Sequence, residues 1–197
     1  MSTEGGKRGW RARLLADRAA LSPDRLRLAA ETLTRHVLDR LGGMGRIAAY
    51  VPVGREPGSV RLLDALRDGG TEVLLPVVVD RGLDWAPYAG AAALMTGALG
   101  TLAPDGPRVG AAGIATADAV LIPALAVDHR GVRLGRGGGY YDRALAVVPA
   151  QIPLIALLHD GELVERLPAD PWDRTVTAAV SPVIGWTELP IVEHHDD

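Results

Sequence analysis

The residues best suited to chemistry are concentrated in one stretch, Arg133-Leu134-Gly135-Arg136-Gly137-Gly138-Gly139-Tyr140-Tyr141-Asp142-Arg143. Four glycines in five positions let the backbone turn where a side chain would clash, and they leave N–H groups bare for an anion. Placed ahead of a helix, such donors also meet the positive end of its dipole, a physical means of holding phosphate. Arg133, Arg136 and Arg143 add positive charge, and Asp142 offers a hard oxygen ligand for magnesium. The stretch is not a Walker A loop, because no Gly-Lys-Ser/Thr closes it. Nor is it a plain dinucleotide fingerprint, because two tyrosines and an acid follow the last glycine. Glycines alone are equally a flexible surface turn. Three arginines, two tyrosines and an aspartate packed into the same stretch favour a phosphate-binding loop.

Positioning these groups requires a scaffold, and its elements are readable in the pattern. The apolar run Ala119 to Leu125 predicts a buried strand entering the loop, and Ala144 to Val148 predicts the continuation of a helix leaving it. Arg46 to Val51 predicts another strand, ended by Pro52. A loop from Val53 to Ser59 carries Glu56, a helix spans Val60 to Arg67, and a strand spans Thr71 to Val79. Leu83 to Tyr88 predicts a strand or hairpin arm, and Gly90 to Gly113 predicts irregular structure, either a ligand-covering loop or a connector. Pro153 to Leu158 and Arg174 to Val180 complete the strands. Unbroken apolar strands of this kind suit a parallel sheet covered on both faces, with ligands beyond the strands' carboxyl ends. Glu56 and the glycines fall on such loops. The proline-broken segment Leu167 to Asp173 brings Asp170 and Asp173 near the end of the same sheet.

Ahead of the sheet, Lys7 to Ala20 carries Trp10, Leu14, Leu15 and Ala19 at helical spacing. Ser22 and Pro23 predict an N-cap and first position of a second helix reaching about Leu41, where Gly42-Gly43 ends it. Lys7 and Arg11 share one face of the first helix; on spacing alone they are two solvated charges.

Composition narrows the classes. The 197 residues fit one domain, with tails at 1–6 and 190–197 expected to be flexible. A net charge of −3 argues against a general nucleic-acid binder. The absence of cysteine excludes disulfides, thiolate catalysis and zinc–thiolate sites. No apolar run approaches the roughly 20 residues of a membrane span, and the polar N-terminus lacks the core of a signal peptide. The expectation is a cytoplasmic monomer acting on small molecules, with no nucleic acid or membrane partner. His194-His195 in the acidic tail is a disordered terminus or an adventitious metal site.

The strand Val120 to Leu125, the pair Val127-Asp128, Gly131 and the run Arg133 to Arg143 closely resemble the signature of the 5-formyltetrahydrofolate cyclo-ligase family, with Val127 where Phe is common. The likeness extends to Lys7-x-x-Trp10-Arg11, to Glu56 with Ser59, to Leu75-Pro76 and to Asp173. Ala103-Pro104 departs from a frequent Glu-Pro, and Pro57 departs from the Ile or Val that usually follows the acid. The resemblance implies a three-layer α/β/α fold with a mostly parallel, Rossmann-like central sheet, akin to sugar-phosphate isomerases and CoA-transferases. It implies conversion of 5-formyltetrahydrofolate and ATP into 5,10-methenyltetrahydrofolate, ADP and phosphate, with Mg2+. By the same resemblance Lys7, Arg8, Gly9, Trp10, Arg11 and the loop Arg133 to Tyr141 would hold ATP. Val51, Glu56, Arg136, Gly137, Gly138, Gly139 and Tyr140 would contact the folate. Arg133, Arg136 and Tyr140 would act in catalysis, and Asp142 with Asp173 would hold the metal. A binding protein descended from such an enzyme, or an isomerase or transferase of similar architecture, are the competing expectations.

Overall fold

A computed structural model describes residues 3–80, 82–170 and 173–192. Two helices open the chain, α1 (Thr3–Ala20) and α2 (Pro23–Leu41). Ser22 caps α2 through a hydrogen bond from the Arg25 N–H to its hydroxyl, with Pro23 in the first turn, and Gly42 ends it. The expected N-terminal tail is instead helical from Thr3 onward. Then come β1 (Arg46–Ala48), α3 (Val60–Asp68), β2 (Glu72–Val79) and β3 (Gly82–Pro87). The segment expected to be irregular contains a small hairpin, β4 (Leu94–Thr96) with β5 (Leu102–Pro104), flanked by 3-10 turns. After it lie β6 (Ala119–Pro123), β7 (Ala126–Asp128), β8 (Arg133–Leu134), α4 (Tyr140–Leu145), β9 (Leu154–Leu157), β10 (Leu163–Val164), β11 (Ala178–Ser181) and β12 (Gly185–Glu188).

A seven-stranded sheet in the order β12-β11-β9-β6-β1-β2-β3 forms the centre. Its five inner strands are parallel, and the two margins, β3 and β12, run antiparallel. The inner strands are apolar throughout because both faces are covered. On one face α2 contributes Leu33, Val37 and Leu41, and α3 contributes Leu62, Leu63 and Leu66, packed on Ile47, Val73, Leu121 and Ile155. Each such leucine removes roughly 1.5–3 kcal/mol worth of apolar surface from water. Side chains one residue along, among them Leu74, Val120, Ile122 and Ala156, point to the other face, against Trp85, Ile114 and Leu145. That second layer is thinner than two long helices: it consists of α4, only six residues long, and a 3-10 turn at Ala111–Thr116. The helix foreseen through Val148 stops at Leu145. Among the described residues no helix is long and apolar enough to cross a membrane.

Beside the main sheet lies a three-stranded one, β10-β7-β8, which the sequence pattern did not reveal. Helix α1 packs on it: Leu14 is buried with Leu125, Ala126, Val132, Leu134 and Leu167. The turn between β7 and β8 is fixed by Asp128, which is fully buried. Its carboxylate accepts the N–H groups of Arg130, Val132 and Leu167 at 2.9, 3.0 and 3.0 Å, and the Arg130 guanidinium at 2.6 Å. Burial alone would raise its pKa. The bonds from Leu167, Arg130 and Val132 outweigh that and hold it below the ordinary carboxylate value. Because the folded pKa lies under the unfolded one, its stabilisation is complete above about pH 4 and fades as the pH falls further. Asp128→Asn should cost roughly 2–4 kcal/mol in urea unfolding at neutral pH. It should also flatten the acid limb of the stability–pH profile; an unchanged limb would assign the acid sensitivity elsewhere.

Candidate active site

The carboxyl ends of β1, β2 and β6 open into a cavity of about 360 Å³. Its apolar wall includes Val51, Val78, Leu83, Leu102, Pro123 and Leu125, and its polar wall is the glycine loop from Gly135 to Gly139 with Tyr140, Tyr141 and Asp142. In that loop Gly137 has φ +95° and Gly139 has φ +68°, conformations that L side chains rarely adopt. A Cβ on Gly137 would also come within 3.3 Å of the Arg11 guanidinium carbon. Among the described residues none accepts a hydrogen bond from the N–H groups of Gly137, Gly138 or Gly139. These bare donors form a cradle for an anion. With only six residues behind it, α4 adds little dipole, so the cradle rests on the loop itself.

Cations gather at and beside the loop from two elements, α1 and β8. Arg11 of α1 donates from Nε to the Gly135 carbonyl at 2.9 Å. Arg133 of β8 is only 7% exposed and meets Asp142 at 2.5 Å, and its Nη1 donates to the Pro123 carbonyl at 3.3 Å. Burial pushes its pKa below the ordinary value against the opposing pull of Asp142, Tyr141 and Asp173; a guanidinium remains charged nonetheless. Its Nε has no hydrogen-bond partner among the described residues. Lys7 lies 2.7 Å from Asp170 and 2.8 Å from Asp173. Burial lowers the Lys7 pKa, but the hydrogen bonds and charges of those two acids together leave it raised.

On the opposite wall Glu56 accepts the Val53 N–H at 2.9 Å and meets Arg136 Nε at 2.9 Å. Tyr50 donates to the Pro57 carbonyl at 2.7 Å. The Tyr141 hydroxyl is buried without a hydrogen-bond partner among the described residues. Burial first, and Glu56 second, push both phenols well up, so both are neutral near pH 7.

A model of the 5-formyltetrahydrofolate cyclo-ligase family matches residues 3–182. The chain belongs to that family. It is 40% identical over 186 residues to a 5-formyltetrahydrofolate cyclo-ligase of Mycolicibacterium smegmatis, covering 91% of this chain and 95% of the relative. The cyclo-ligase of Escherichia coli is 40% identical over a shorter span of 70 residues, 35% of this chain and 38% of that protein. Among solved structures, Aquifex aeolicus 5,10-methenyltetrahydrofolate synthetase superposes with a TM-score of 0.79 at 29% identity, covering 96% and 97% of the two chains. The Mycoplasma pneumoniae synthetase shares the fold, with a TM-score of 0.69 at 23% identity, over 88% of this chain and 96% of that one.

The expected site residues of a cyclo-ligase fall into three groups here. Val51, Glu56, Arg133, Gly135, Arg136, Gly137, Gly138, Gly139, Tyr140, Tyr141 and Asp142 line the cavity. Lys7, Arg11 and Asp173 stand outside its lining, at the loop's outer side and its neighbouring acids. Trp10 and Leu134 instead pack in the cluster under α1, Trp10 with Arg13 stacked 4.0 Å over its ring, while Arg8 and Gly9 are exposed. At the Ala103 departure, Ala103 is buried against Val77 and Ala86, whereas its neighbours Thr101 and Leu102 line the cavity. Pro57 is accommodated, its carbonyl serving Tyr50. Pro171 and Trp172 lie outside the described residues, as do His194 and His195.

Arg18 and Tyr50 were not foreseen at the site, and Asp170 was noted without a role. Arg18 lines the cavity while only 3% exposed. Its Nε and Nη2 clasp Glu162 at 2.6 and 2.8 Å, and Nη2 also donates to the Ala124 carbonyl at 2.6 Å. The signal was present: Lys7, Arg11 and Arg18 follow steps of four and seven, one helical face. Arg18→Met should destabilise the fold by about 3–5 kcal/mol, because Glu162 is left buried without a cation. Arg18→Met/Glu162→Gln should recover much of that loss in urea unfolding. Equal losses in the single and double variants would show that packing, not charge, sets the cost.

Proposed function

We propose that this protein closes 5-formyltetrahydrofolate to 5,10-methenyltetrahydrofolate at the expense of ATP, in the presence of magnesium, releasing ADP and phosphate. Membership of the family supports the reaction class, as do the nearly full-length Mycolicibacterium smegmatis relative and the Aquifex aeolicus synthetase. The observation that carries the ATP dependence is the bare-amide glycine loop carrying Arg136 and flanked by Arg11 and Arg133, beside an apolar cavity.

A formamide oxygen is a poor leaving group. When it attacks the γ-phosphorus, the P–O bond to ADP breaks and an iminium phosphate results. N10 of the folate then attacks the formyl carbon, phosphate departs with the former formyl oxygen, and the N10 proton is lost. Such chemistry needs positioning and charge neutralisation more than a protein nucleophile. The apolar wall would take the pteridine ring, and Glu56 would accept hydrogen bonds from its amino and ring N–H groups. The glycine amides, Arg11, Arg133 and Lys7 would orient the triphosphate, with the guanidinium groups forking onto its oxygens. Arg136 and Tyr140, between the two, would bring the γ-phosphate to the formyl oxygen. Tyr141, neutral and without a hydrogen-bond partner among the described residues, would offer a hydroxyl to whichever substrate atom reaches it.

Asp142 and Asp173 fit magnesium. Both carry hard oxygens, and both act electrostatically on the same buried Arg133. Among the described residues no three acidic or histidine groups cluster as a protein cage, which matches a metal held by one or two carboxylates plus phosphate oxygens. Bound there, the ion would neutralise charge on the phosphoryl oxygens.

The test is the absorbance of the methenyl product, with 5-formyltetrahydrofolate and magnesium, with and without ATP. A rise only with ATP is expected; a rise without it, or none, overturns the proposal. Asp142→Asn should lower turnover by about a hundredfold or more and raise the magnesium requirement. Unchanged turnover at ordinary magnesium would remove the metal assignment. Glu56→Gln should mainly raise KM for the folate, and an effect on ATP alone would place Glu56 on the other substrate.

A further inference from the structure

The loop assigned to the nucleotide and the wall assigned to the pterin are joined by an ion pair. Arg136 Nε lies 2.9 Å from Glu56 Oε1, with Arg136 52% exposed and Glu56 10% exposed. Glu56 is fixed from behind, because the Val53 N–H occupies Oε2 at 2.9 Å. Arg136 has no second ion-pair or hydrogen-bonded partner among the described residues. It sits beside Gly137, whose φ of +95° lies in the bend between β8 and α4 rather than in a strand or helix. One partner is anchored and the other is held by this contact alone.

Building on the functional reading above, we propose that Arg136 is shared between the two substrates. In the free protein it neutralises Glu56, a mostly buried carboxylate that would otherwise lack a cation. Pterin donors approaching Glu56 meet Arg136 at Oε1, while Oε2 is already engaged by the Val53 N–H. Donors from the pterin replace the guanidinium there, and Arg136 becomes available to the phosphates on its own loop. An ion pair half open to water is weak, whereas a guanidinium on phosphate makes forked, charge-assisted bonds. Nucleotide arriving first must compete with Glu56 for Arg136; nucleotide arriving after folate need not. The two substrates therefore bind with positive coupling, and linkage requires the same factor in both directions.

The experiment is calorimetric titration of the full chain with a non-hydrolysable ATP analogue and magnesium, with and without saturating 5-formyltetrahydrofolate, and the converse titration of the folate. The analogue should bind about fivefold or more tighter with folate present, and the folate tighter by the same factor with analogue present. Glu56→Gln removes the competing charge, so its analogue affinity without folate should approach that of the wild type with folate, and the coupling should vanish. Arg136→Met should bind the analogue weakly and show no coupling. Equal analogue affinities with and without folate, while both ligands bind, would overturn the exchange and leave the reaction standing. So would a Glu56→Gln variant with wild-type coupling. Failure of the wild type to bind either ligand would overturn the functional reading and the exchange together.

Discussion

The buried contact between Arg18 and Glu162 is the constraint on which the site depends. Arg18 belongs to α1, Glu162 follows β9, and the pair reaches the end of β6 through the Ala124 carbonyl. Glu162 also accepts the His159 N–H at 2.7 Å, and its own carbonyl accepts the Val127 N–H at 3.0 Å. One charge pair thus registers a surface helix, the carboxyl edge of the main sheet and the small sheet relative to one another. Lys7 and Arg11 lie on the same helix, so the reach of Arg11 to the glycine loop and of Lys7 to Asp170 and Asp173 follows from that registration. A buried ion pair of this kind is weak evidence for net stability, but breaking it from one side is costly, which suits a device that fixes orientation.

Charges at and beside the cavity follow a repeated pattern. Lys7 faces Asp170 and Asp173, Arg133 faces Asp142, and Arg136 faces Glu56. Among the described residues these cations are thus paired with acids of the site itself. Arg11 is the exception, spending its Nε on the Gly135 carbonyl and thereby shaping the loop.

The parts legible in the sequence are those written in local pattern. Ser22-Pro23 marked a helix start because capping is a matter of adjacent residues. The inner strands were readable as uninterrupted apolar runs, and the glycine loop as a cluster of special residue types. Strands β7, β8 and β10, of two or three residues, carry no measurable period and escaped notice. Strand β12 also escaped, since Gly185-Trp186-Thr187-Glu188 lacks the alternation of a half-buried strand. Arg18 read as one more solvated arginine, because its partner lies 144 residues away and only tertiary packing joins them. Asp128 was recognisable within the family signature, but its five donors come from a turn and a distant loop, which local sequence does not display.

The two antiparallel margins of the seven-stranded sheet have a colloidal consequence. On β3 the Trp85 carbonyl is already taken by the Val109 N–H at 2.8 Å, and Pro87 offers no donor. On β12 the strand is four residues long, ends beside Pro190 and carries Glu188 with Trp186 bonded to it at 2.7 Å. Short, proline-terminated and charged borders deny a neighbouring chain a template for strand addition. The strongly apolar parallel interior is thus bordered on both sides by strands whose outer backbone is partly engaged, short or interrupted by proline.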